Sequence, residues 1–496
     1  MKNSYLRRKI NYYFGDKNFP SEIKRRKVKT LQDLVYESAK KFKTRSYIRY
    51  LNDKNEICNI SYQETARIFE SFASWLNKIQ RSIDSSRQLY VGIIGEGTLN
   101  YVIAYFATVF GGQVTVPIDP NSDPETIVYC VNKGDIDILF YDESLKSKIE
   151  YIKDKCPKVK KYLLINKNNE INLDDEDCIE DILKNYEGKK VNKKVLPSQN
   201  AFIIFTSGTT GNKKGVVLTQ DSVIDRVYSL VFVKNSRYNI FMNILPLYHI
   251  FSSGDFLYSM RLGYTVCLSY DLSKLLQNIQ IFQPSLIVCV PLIAKNLFNG
   301  YSKIRKLYPS LSVEDAKKKI FGEKLHSLYV GGSYFLKDMI VKYDEIGIFV
   351  SHGYGLTETN GNGTQSDYQP SKFGSVGKSP LGFRTRTVKG EIQIKSKSLM
   401  KEYYKDPEKT KEAFTSDGCN GENVAPERLE NIYNNESFIQ EIIIYGDNDV
   451  LCSEIYPNED YIKLNNIPPE EVKDKLWKII EEKNKDLPPH ERIAKL

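Results

Sequence analysis

FIIFTSGTTGNKKGVVLT, from Phe202 to Thr219, places two apolar, β-prone runs on either side of a loop of small and basic residues. Glycine backbones adopt positive φ and allow close approach of a ligand, and hydroxyls with freed N–H groups bind anions. The stretch therefore predicts two strands joined by a phosphate-binding loop, with a plain polar turn as the alternative. It lacks the Gly-Lys-Ser/Thr ending of a Walker loop. The loop's hydroxyls, glycines and lysines are Thr206, Ser207, Gly208, Thr209, Thr210, Gly211, Lys213, Lys214 and Gly215.

Strand-like and helix-like segments alternate on both sides of this stretch. LYVGIIGEG and QVTVPID are typical of buried strands, and LNYVIAYFATVFGG of a helix stopped by Gly111 and Gly112. In SYQETARIFESFASWLNKI, Ser61 and Glu64 form a capping box. The alternation predicts the α/β class: a large N-terminal domain, residues 1–417, of mixed but mainly parallel sheets wrapped by helices, and a small α+β C-terminal domain, residues 418–496.

Bulk composition excludes several classes of protein. The chain has 496 residues and a net charge of +9, but its lysines are dispersed among acidic residues, which argues against nucleic-acid binding. Its eight cysteines are scattered and form no CxxC pair, so neither a disulfide framework nor a zinc site is expected. Neither a signal-peptide run nor a membrane-length apolar stretch occurs. We expect a cytoplasmic protein with at most peripheral membrane contact.

Three further segments carry chemistry. YGLTET, from Tyr354 to Thr359, combines an aromatic ring, hydroxyls and one carboxylate. An aromatic ring stacks on a base, and a carboxylate beside phosphates holds Mg²⁺. LPLYHIFSSGDF and YVGGSYF are apolar segments interrupted by glycine. They are candidates for the walls of a pocket for a non-polar acid.

These motifs together resemble those of the adenylate-forming superfamily, which comprises acyl-CoA synthetases, adenylation domains and luciferases. TSGTTGNKKG resembles its phosphate loop, YGLTET its adenine and magnesium motif, and YVGGSYF its adenine-flanking glycines. LMKEYYKDPEKTKEAF and GENVAPERLE also match, and the similarity runs from about Thr30 to Ile493. The resemblance implies that ATP and a carboxylate give an acyl-adenylate, whose acyl group passes to the thiol of CoA or of a carrier-protein pantetheine. The implied cofactors are ATP, Mg²⁺ and CoA.

The resemblance also implies roles for single residues. His249 would orient the substrate carboxylate or gate the acyl pocket, with a purely structural histidine as the alternative. The family commonly has proline where Lys213 stands, so the loop here has an added charge. Metal ligands would be Glu358 and Thr206. Catalytic groups would be Thr206, Lys214, His249, Thr357 and Glu358. Nucleotide contacts would come from Thr206, Ser207, Gly208, Thr209, Thr210, Gly211, Lys214, Gly331, Gly332, Ser333, Tyr354, Gly355 and Thr357.

PLYHIF and the EIYP segment resemble fatty-acyl-CoA synthetases more than amino-acid adenylation domains. Amino-acid activators usually carry an aspartate early in this region, whereas Asp255 lies several residues later. The resemblance therefore favours a medium- or long-chain fatty acid as substrate.

The sequence departs from the family pattern after EAFTSDG. The ribose-binding aspartate motif and the arginine-bearing hinge are absent between TSDG and GENV, unless TSDG, Thr415 to Gly418, is a degenerate ribose motif rather than the acidic turn before it. Lys495 comes too early to be the family's last catalytic lysine, so a shortened lid is expected. Three functions stay open: an acyl-CoA ligase with full or reduced activity, a stand-alone protein that loads a carrier protein, and an impaired relative that binds nucleotide or acyl ligand.

Overall fold

A computed structural model describes residues 27–166, 178–206, 213–229, 240–366, 369–388, 391–422, 433, 436–447, 450–485 and 493–495. The predicted contacts of Ser207, Gly208, Thr209, Thr210 and Gly211 lie outside these residues. The chain forms two compact units. The first comprises the described parts of Met1–Gly332, Leu336–Thr385 and Ile394–Asn420, and the second those of Ser333–Phe335, Arg386–Gln393 and Gly421–Leu496.

The strands, in chain order, are β1 Ser46–Leu51, β2 Ile57–Ser61, β3 Tyr90–Ile94, β4 Val114–Ile118, β5 Ile138–Tyr141, β6 Lys161–Leu164, β7 Asn200–Thr206, β8 Lys214–Thr219, β9 Ile240–Asn243, β10 Thr265–Leu268, β11 Leu286–Cys289, β12 Ser327–Val330, β13 Phe349–Tyr354, β14 Thr364–Gln365, β15 Arg384–Val388, β16 Glu391–Lys395, β17 Glu402–Tyr403, β18 Asn420–Glu422, β19 Ile439–Asp447, β20 Val450–Pro457 and β21 Ile493–Lys495.

The helices are α1 Leu31–Phe42, α2 Tyr62–Ile83, α3 Leu99–Phe110, α4 Pro124–Lys133, α5 Lys146–Lys153, α6 Ile179–Asn185, α7 Gln220–Ser229, α8 Ile250–Leu262, α9 Leu275–Phe282, α10 Pro291–Leu307, α11 Val313–Phe321, α12 Lys337–Glu345, α13 Pro407–Ala413, α14 Glu459–Leu464 and α15 Pro469–Lys485. Short 3-10 turns occur at Glu143–Leu145, Leu272–Lys274 and Pro370–Lys372.

Two large sheets form the first unit. A seven-stranded sheet has the order β17-β8-β7-β4-β3-β5-β6, and an eight-stranded sheet has the order β14-β13-β12-β11-β9-β10-β1-β2. Inner strands and the edge strand β6 pair in parallel, whereas β17 and β8 at the other edge of that sheet, and β2 and β14 at the edges of the eight-stranded sheet, pair antiparallel. The prediction of mixed, mainly parallel sheets wrapped by helices is confirmed.

Local sequence explains the elements that surround the seven-stranded sheet. All five residues of β4 are buried, as expected for a parallel strand covered on both faces. In α3 every residue after Leu99 is buried, the Thr98 side chain caps the N-terminus, and Gly111 is the C-cap. The predicted capping box of α2 is present, since Ser61 Oγ accepts from Glu64 N–H and Glu64 accepts from Ser61 N–H.

The second unit has its own small core. β19, β20 and β21 form a three-stranded sheet. Buried side chains from β19, β21, α15 and the residues before β19 make one cluster, which contains Tyr433, Phe438, Ile439, Ile442, Leu476, Ile480 and Ile493. A further three-stranded sheet has the order β15-β16-β18. Among the described residues, no helix combines the length and apolar character needed to cross a membrane.

Candidate active site

The hairpin of β7 and β8 carries the two ends of the predicted phosphate loop. Thr206 and Lys214 are register partners in the antiparallel pair, so both side chains stand at the mouth of the loop. Both remain partly exposed. Of the predicted phosphate contacts in this motif, the structure describes Thr206 and Lys214, and it brings these two together.

Glu358 reaches the same hairpin through one tyrosine. Tyr403 of β17 pairs with Val216 of β8, and its hydroxyl donates to Glu358 Oε1 at 2.7 Å. Lys214 Nζ lies 5.1 Å from the centroid of the Tyr403 ring. The predicted metal carboxylate and the predicted phosphate lysine thus contact the hydroxyl and the ring of one aromatic side chain. Sequence reasoning missed Tyr403, although the residue lies in a matched segment, because nothing in a single sequence distinguishes it from Tyr404.

The predicted adenine segments follow neighbouring parallel strands. Val330 of β12 is the register partner of His352 of β13, so the residues that follow each strand emerge at one edge of the eight-stranded sheet. A Cβ added to Gly331 would lie 3.4 Å from the Gly353 carbonyl oxygen and 3.1 Å from the Phe251 ring. A larger residue at position 331 would therefore be crowded between this edge and α8.

The next two residues complete the glycine motif. Gly332 is exposed and has φ +86°, a conformation that disfavours other residues. Ser333 follows it, partly buried, and belongs to the second unit.

A tight turn follows Tyr354 and positions Thr357 and Glu358. A Cβ at Gly355 would lie 2.6 Å from the Gly361 carbonyl, so only glycine fits there. The Asn360 N–H donates to the Thr357 carbonyl at 2.9 Å. Tyr354, Thr357 and Glu358 keep part of their surface exposed, as groups that contact a ligand must.

His249 lies at the N-cap of α8, and its neighbours differ from those of Glu358. Its ring lies 4.6 Å from that of Tyr248. Crowding by protein atoms lowers the pKa of the His249 imidazole although part of the ring stays exposed, Asp119 opposes this shift, and Lys213 adds to it. His249 therefore lies near Lys213 and the segment after β4, and its described electrostatic partners do not include Glu358.

Lys213 and Lys214 are adjacent but have different surroundings. Lys213 Nζ donates to Ser122 Oγ at 3.2 Å, and its carbonyl accepts from the Tyr129 hydroxyl. The Lys213 side chain thus contacts the residues that follow β4, whereas the Lys214 side chain lies beside β17.

A buried arginine connects the elements that carry these groups, and sequence reasoning missed it. Arg226 of α7 is 1% exposed, and its Nη1 donates to the Ile250 carbonyl and to Ser253 Oγ, each at 3.0 Å. A Cβ at Gly361 would lie 3.2 Å from Arg226 Nη2. Arg226 therefore ties the helix after the phosphate hairpin to α8 and to the turn that bears Glu358. A charged residue inside a mostly buried helix is the only signal that could have indicated it.

Asp255, beside this arginine, has a raised pKa. Burial raises its pKa to about 8, while the Asn243 amide, which donates to Asp255 Oδ2 at 3.0 Å, and Arg226 oppose the shift. Asp255 is 2% exposed. It is part of the packed interior of α8.

The described residues fit a magnesium ion held jointly with nucleotide phosphates. They contain no group of three His, Cys, Asp or Glu side chains that could hold a metal alone. Magnesium usually keeps water ligands and binds through one or two carboxylates plus substrate phosphates. One carboxylate, Glu358, bound to the tyrosine that also contacts Lys214, suits that mode.

Thr415 to Gly418 form a local turn. The Gly418 N–H donates to the Thr415 carbonyl at 2.8 Å, and the Thr415 hydroxyl donates to Asp417 Oδ1 at 2.6 Å. Gly418 has φ +75°. This geometry is that of an acidic Asp-Gly turn, with the Asp417 carboxylate bound inside its own turn.

Two family models match the chain. The family described as AMP-binding enzyme matches residues 35–404, and the family described as AMP-binding enzyme C-terminal domain matches residues 418–496. Long-chain-fatty-acid–CoA ligase 6 of Rattus norvegicus is 24% identical, over 78% of this chain and 68% of that protein. Long-chain-fatty-acid–CoA ligase 5 of Mus musculus is 22% identical, over 81% of this chain and 71% of that protein.

Solved structures share the fold. The adenylation domain of a carboxylate reductase from Mycobacterium chelonae superposes with a TM-score of 0.75 at 17% identity, covering 100% of this chain and 91% of that one. A fatty acyl CoA synthetase of Mycobacterium tuberculosis gives a TM-score of 0.68 at 18% identity, covering 95% of this chain and 94% of that one. These likenesses concern the fold alone.

Proposed function

Because the chain belongs to the AMP-binding enzyme family, we propose that it is an ATP-dependent acid–thiol ligase that activates a fatty acid and transfers it to CoA. The observation that carries the proposal is the approach of Glu358 to the phosphate hairpin through Tyr403. The names of the related long-chain-fatty-acid–CoA ligases support a fatty acid as the acyl donor and CoA as the acceptor.

In the first step, a carboxylate oxygen of the acid bonds to the α-phosphorus of ATP. The bond from that phosphorus to the oxygen bridging to the β-phosphate breaks, and pyrophosphate leaves with the electron pair. Bound magnesium would supply positive charge to the phosphates. Thr206 and Lys214 bind the β- and γ-phosphates and Thr357 the α-phosphate, which brings two anions together and stabilises the charge that develops.

His249 orients the acid in this proposal. Because its pKa is lowered, the imidazole is neutral at pH 7 and one of its N–H groups donates to the substrate carboxylate without forming a fixed ion pair. Tyr354 packs on the adenine, beside Gly331, Gly332 and Ser333. In the second step the thiol sulfur bonds to the acyl carbon, the thiol proton is released, and AMP leaves.

The test is carboxylate-dependent exchange between ATP and pyrophosphate, run with fatty acids of graded chain length and followed by thioester formation with CoA. We expect exchange with medium- or long-chain acids and acyl-CoA as product. ATP binding without exchange would instead establish the impaired binding protein. Exchange with acylation of a carrier protein but not of CoA would establish the carrier-loading protein.

Domain division and location are further parts of the proposal. We propose the boundary between Asp417 and Gly418, so limited proteolysis should cut near this turn and leave a stable fragment of residues 1–417. A cytoplasmic location follows from the scattered cysteines and is tested by fractionation of the native cells.

A further inference from the structure

Tyr403 is held rigidly at the edge of the seven-stranded sheet. Its side chain is 6% exposed, and its N–H donates to Thr410 Oγ1 at 2.9 Å. The pairing of β17 with β8 fixes it opposite Val216. Burial and these backbone contacts therefore hold Tyr403 in place independently of Lys214 and Glu358.

The same short segment holds the backbone and the side chain of Glu358. The Met400 N–H donates to the Glu358 carbonyl at 2.7 Å, and the Tyr403 hydroxyl donates to Glu358 Oε1 at 2.7 Å. This donor binds Oε1 and restricts the carboxylate, and no hydrogen bond among the described residues reaches Oε2. A hydrogen bond to an ionised acceptor is among the stronger ones in proteins.

Tyr403 contacts two groups of opposite charge, one with its ring and one with its hydroxyl. Lys214 Nζ lies 5.1 Å from the ring centroid, within the range of a cation–π interaction. Lys214 and Glu358 contact the same residue, and among the described residues no ion pair within 4.0 Å joins them. Opposite charges attract each other, so the contacts of Lys214 with the ring and of Glu358 with the hydroxyl compete with a direct ion pair between the two. A paired lysine and carboxylate would be less available to phosphate and metal.

We propose that Tyr403 is a positioning residue that orients Glu358 for the metal with its hydroxyl and keeps Lys214 apart for phosphate with its ring. The inference rests on the proposed function, since it assigns a metal to Glu358 and a phosphate to Lys214. The hydroxyl and the ring of Tyr403 then make separate contributions to nucleotide binding. The hydroxyl affects the magnesium-dependent part of nucleotide binding, and the ring affects the magnesium-independent part.

The experiment measures ATP affinity of the full chain by calorimetry, in magnesium and in EDTA. Tyr403→Phe keeps the ring and should reduce the enhancement of ATP affinity by magnesium about tenfold while leaving affinity in EDTA within about twofold. Tyr403→Leu removes both parts and should lower affinity in EDTA as well. Tyr404→Phe is the matched control, because the Tyr404 hydroxyl donates to Asp135 at 2.8 Å and contacts neither site residue.

A purely structural role is separated by a double-mutant cycle. If Tyr403 acts through Glu358, adding Tyr403→Phe to Glu358→Gln should cause no further loss of magnesium enhancement. Equal behaviour of Tyr403→Phe and Tyr404→Phe, or a full additional loss in the double variant, would overturn the inference while leaving the proposed function intact. Failure of the unmodified chain to bind ATP with magnesium would overturn both. Thermal unfolding of each variant shows whether it is folded. If the Tyr403 variants are not folded, Lys214→Met and Glu358→Gln still test the inference. Lys214→Met should lower only the magnesium-independent part of ATP affinity, and Glu358→Gln only the magnesium-dependent part.

Discussion

The two large sheets contribute groups of opposite charge to the candidate active site. The edge hairpin of the seven-stranded sheet supplies Lys213 and Lys214. The edge of the eight-stranded sheet leads into the turn that bears Glu358. The two-residue strand β17 pairs with the hairpin and binds Glu358, so it brings the two charges to one place. In the proposed function, ATP with magnesium needs both signs, and Lys214 and Glu358 come from different sheets.

The comparison predicts that removal of the single carboxylate has the largest effect. Glu358→Gln keeps the side-chain shape and removes the charge that would face magnesium. We expect carboxylate-dependent pyrophosphate exchange to fall by about 10²–10³-fold, the size seen when one preorganised electrostatic group is lost. Glu345→Gln, on the exposed end of α12, is the control and should keep full exchange. Undiminished exchange in Glu358→Gln would show that the turn after the eight-stranded sheet does not hold the metal.

The second-largest effect is expected when one of the two lysine charges is removed. Lys214→Met should raise the KM for ATP about tenfold, equivalent to ~1.4 kcal/mol of binding free energy. Lys213→Met should change it by only about twofold, because Lys213 is directed to Ser122 and not to β17. Initial rates over a range of ATP concentrations measure both. The reverse order would show that the hairpin presents the other lysine to phosphate.

The buried Asp255 should make the stability of the protein depend on pH. Its pKa is raised from 3.8 in the unfolded chain to about 8 in the native state, so the native state binds the extra proton between these values. The corresponding stability is fully present below pH 3.8 and is lost as pH rises toward 8, with a slope of at most about 1.4 kcal/mol per pH unit. In Asp255→Asn this loss should vanish, so urea unfolding midpoints should fall less between pH 6 and pH 8 than in the unmodified chain. Asp344→Asn is the control, and parallel curves for Asp255→Asn and the unmodified chain would contradict a neutral Asp255.

The smallest effect concerns the turn before the second unit. Because the Asp417 carboxylate accepts from Thr415 inside its own turn, Asp417→Asn should leave the KM for ATP within about twofold. A comparison of ATP with 2′-deoxy-ATP as substrate provides the check. A large rise in KM for ATP alone in this variant would identify Asp417 as the ribose-binding residue and TSDG as a degenerate ribose motif.

The sequence predicted the local elements well, because their determinants are local. The capping box of Ser61 and Glu64, the stop of α3 at Gly111 and the two strands around the phosphate loop all depend on neighbours within a few positions. The resemblance to the adenylate-forming superfamily also rested on contiguous motifs, and the match of residues 35–404 confirms it.

The roles of Tyr403 and Arg226 could not be predicted in this way. Tyr403 lies 45 positions from Glu358, and Arg226 lies 27 positions from Ser253. Tyr403 and Tyr404 are identical residues in one matched segment, and only the pairing of β17 with β8 decides which of them faces Glu358.

By itself, then, the sequence determined the class of fold, the family and the identity of the groups that carry charge. Tertiary structure alone decided which of those groups meet, since strand alternation sends adjacent residues to opposite faces and a hydrogen bond forms only where distant strands become neighbours.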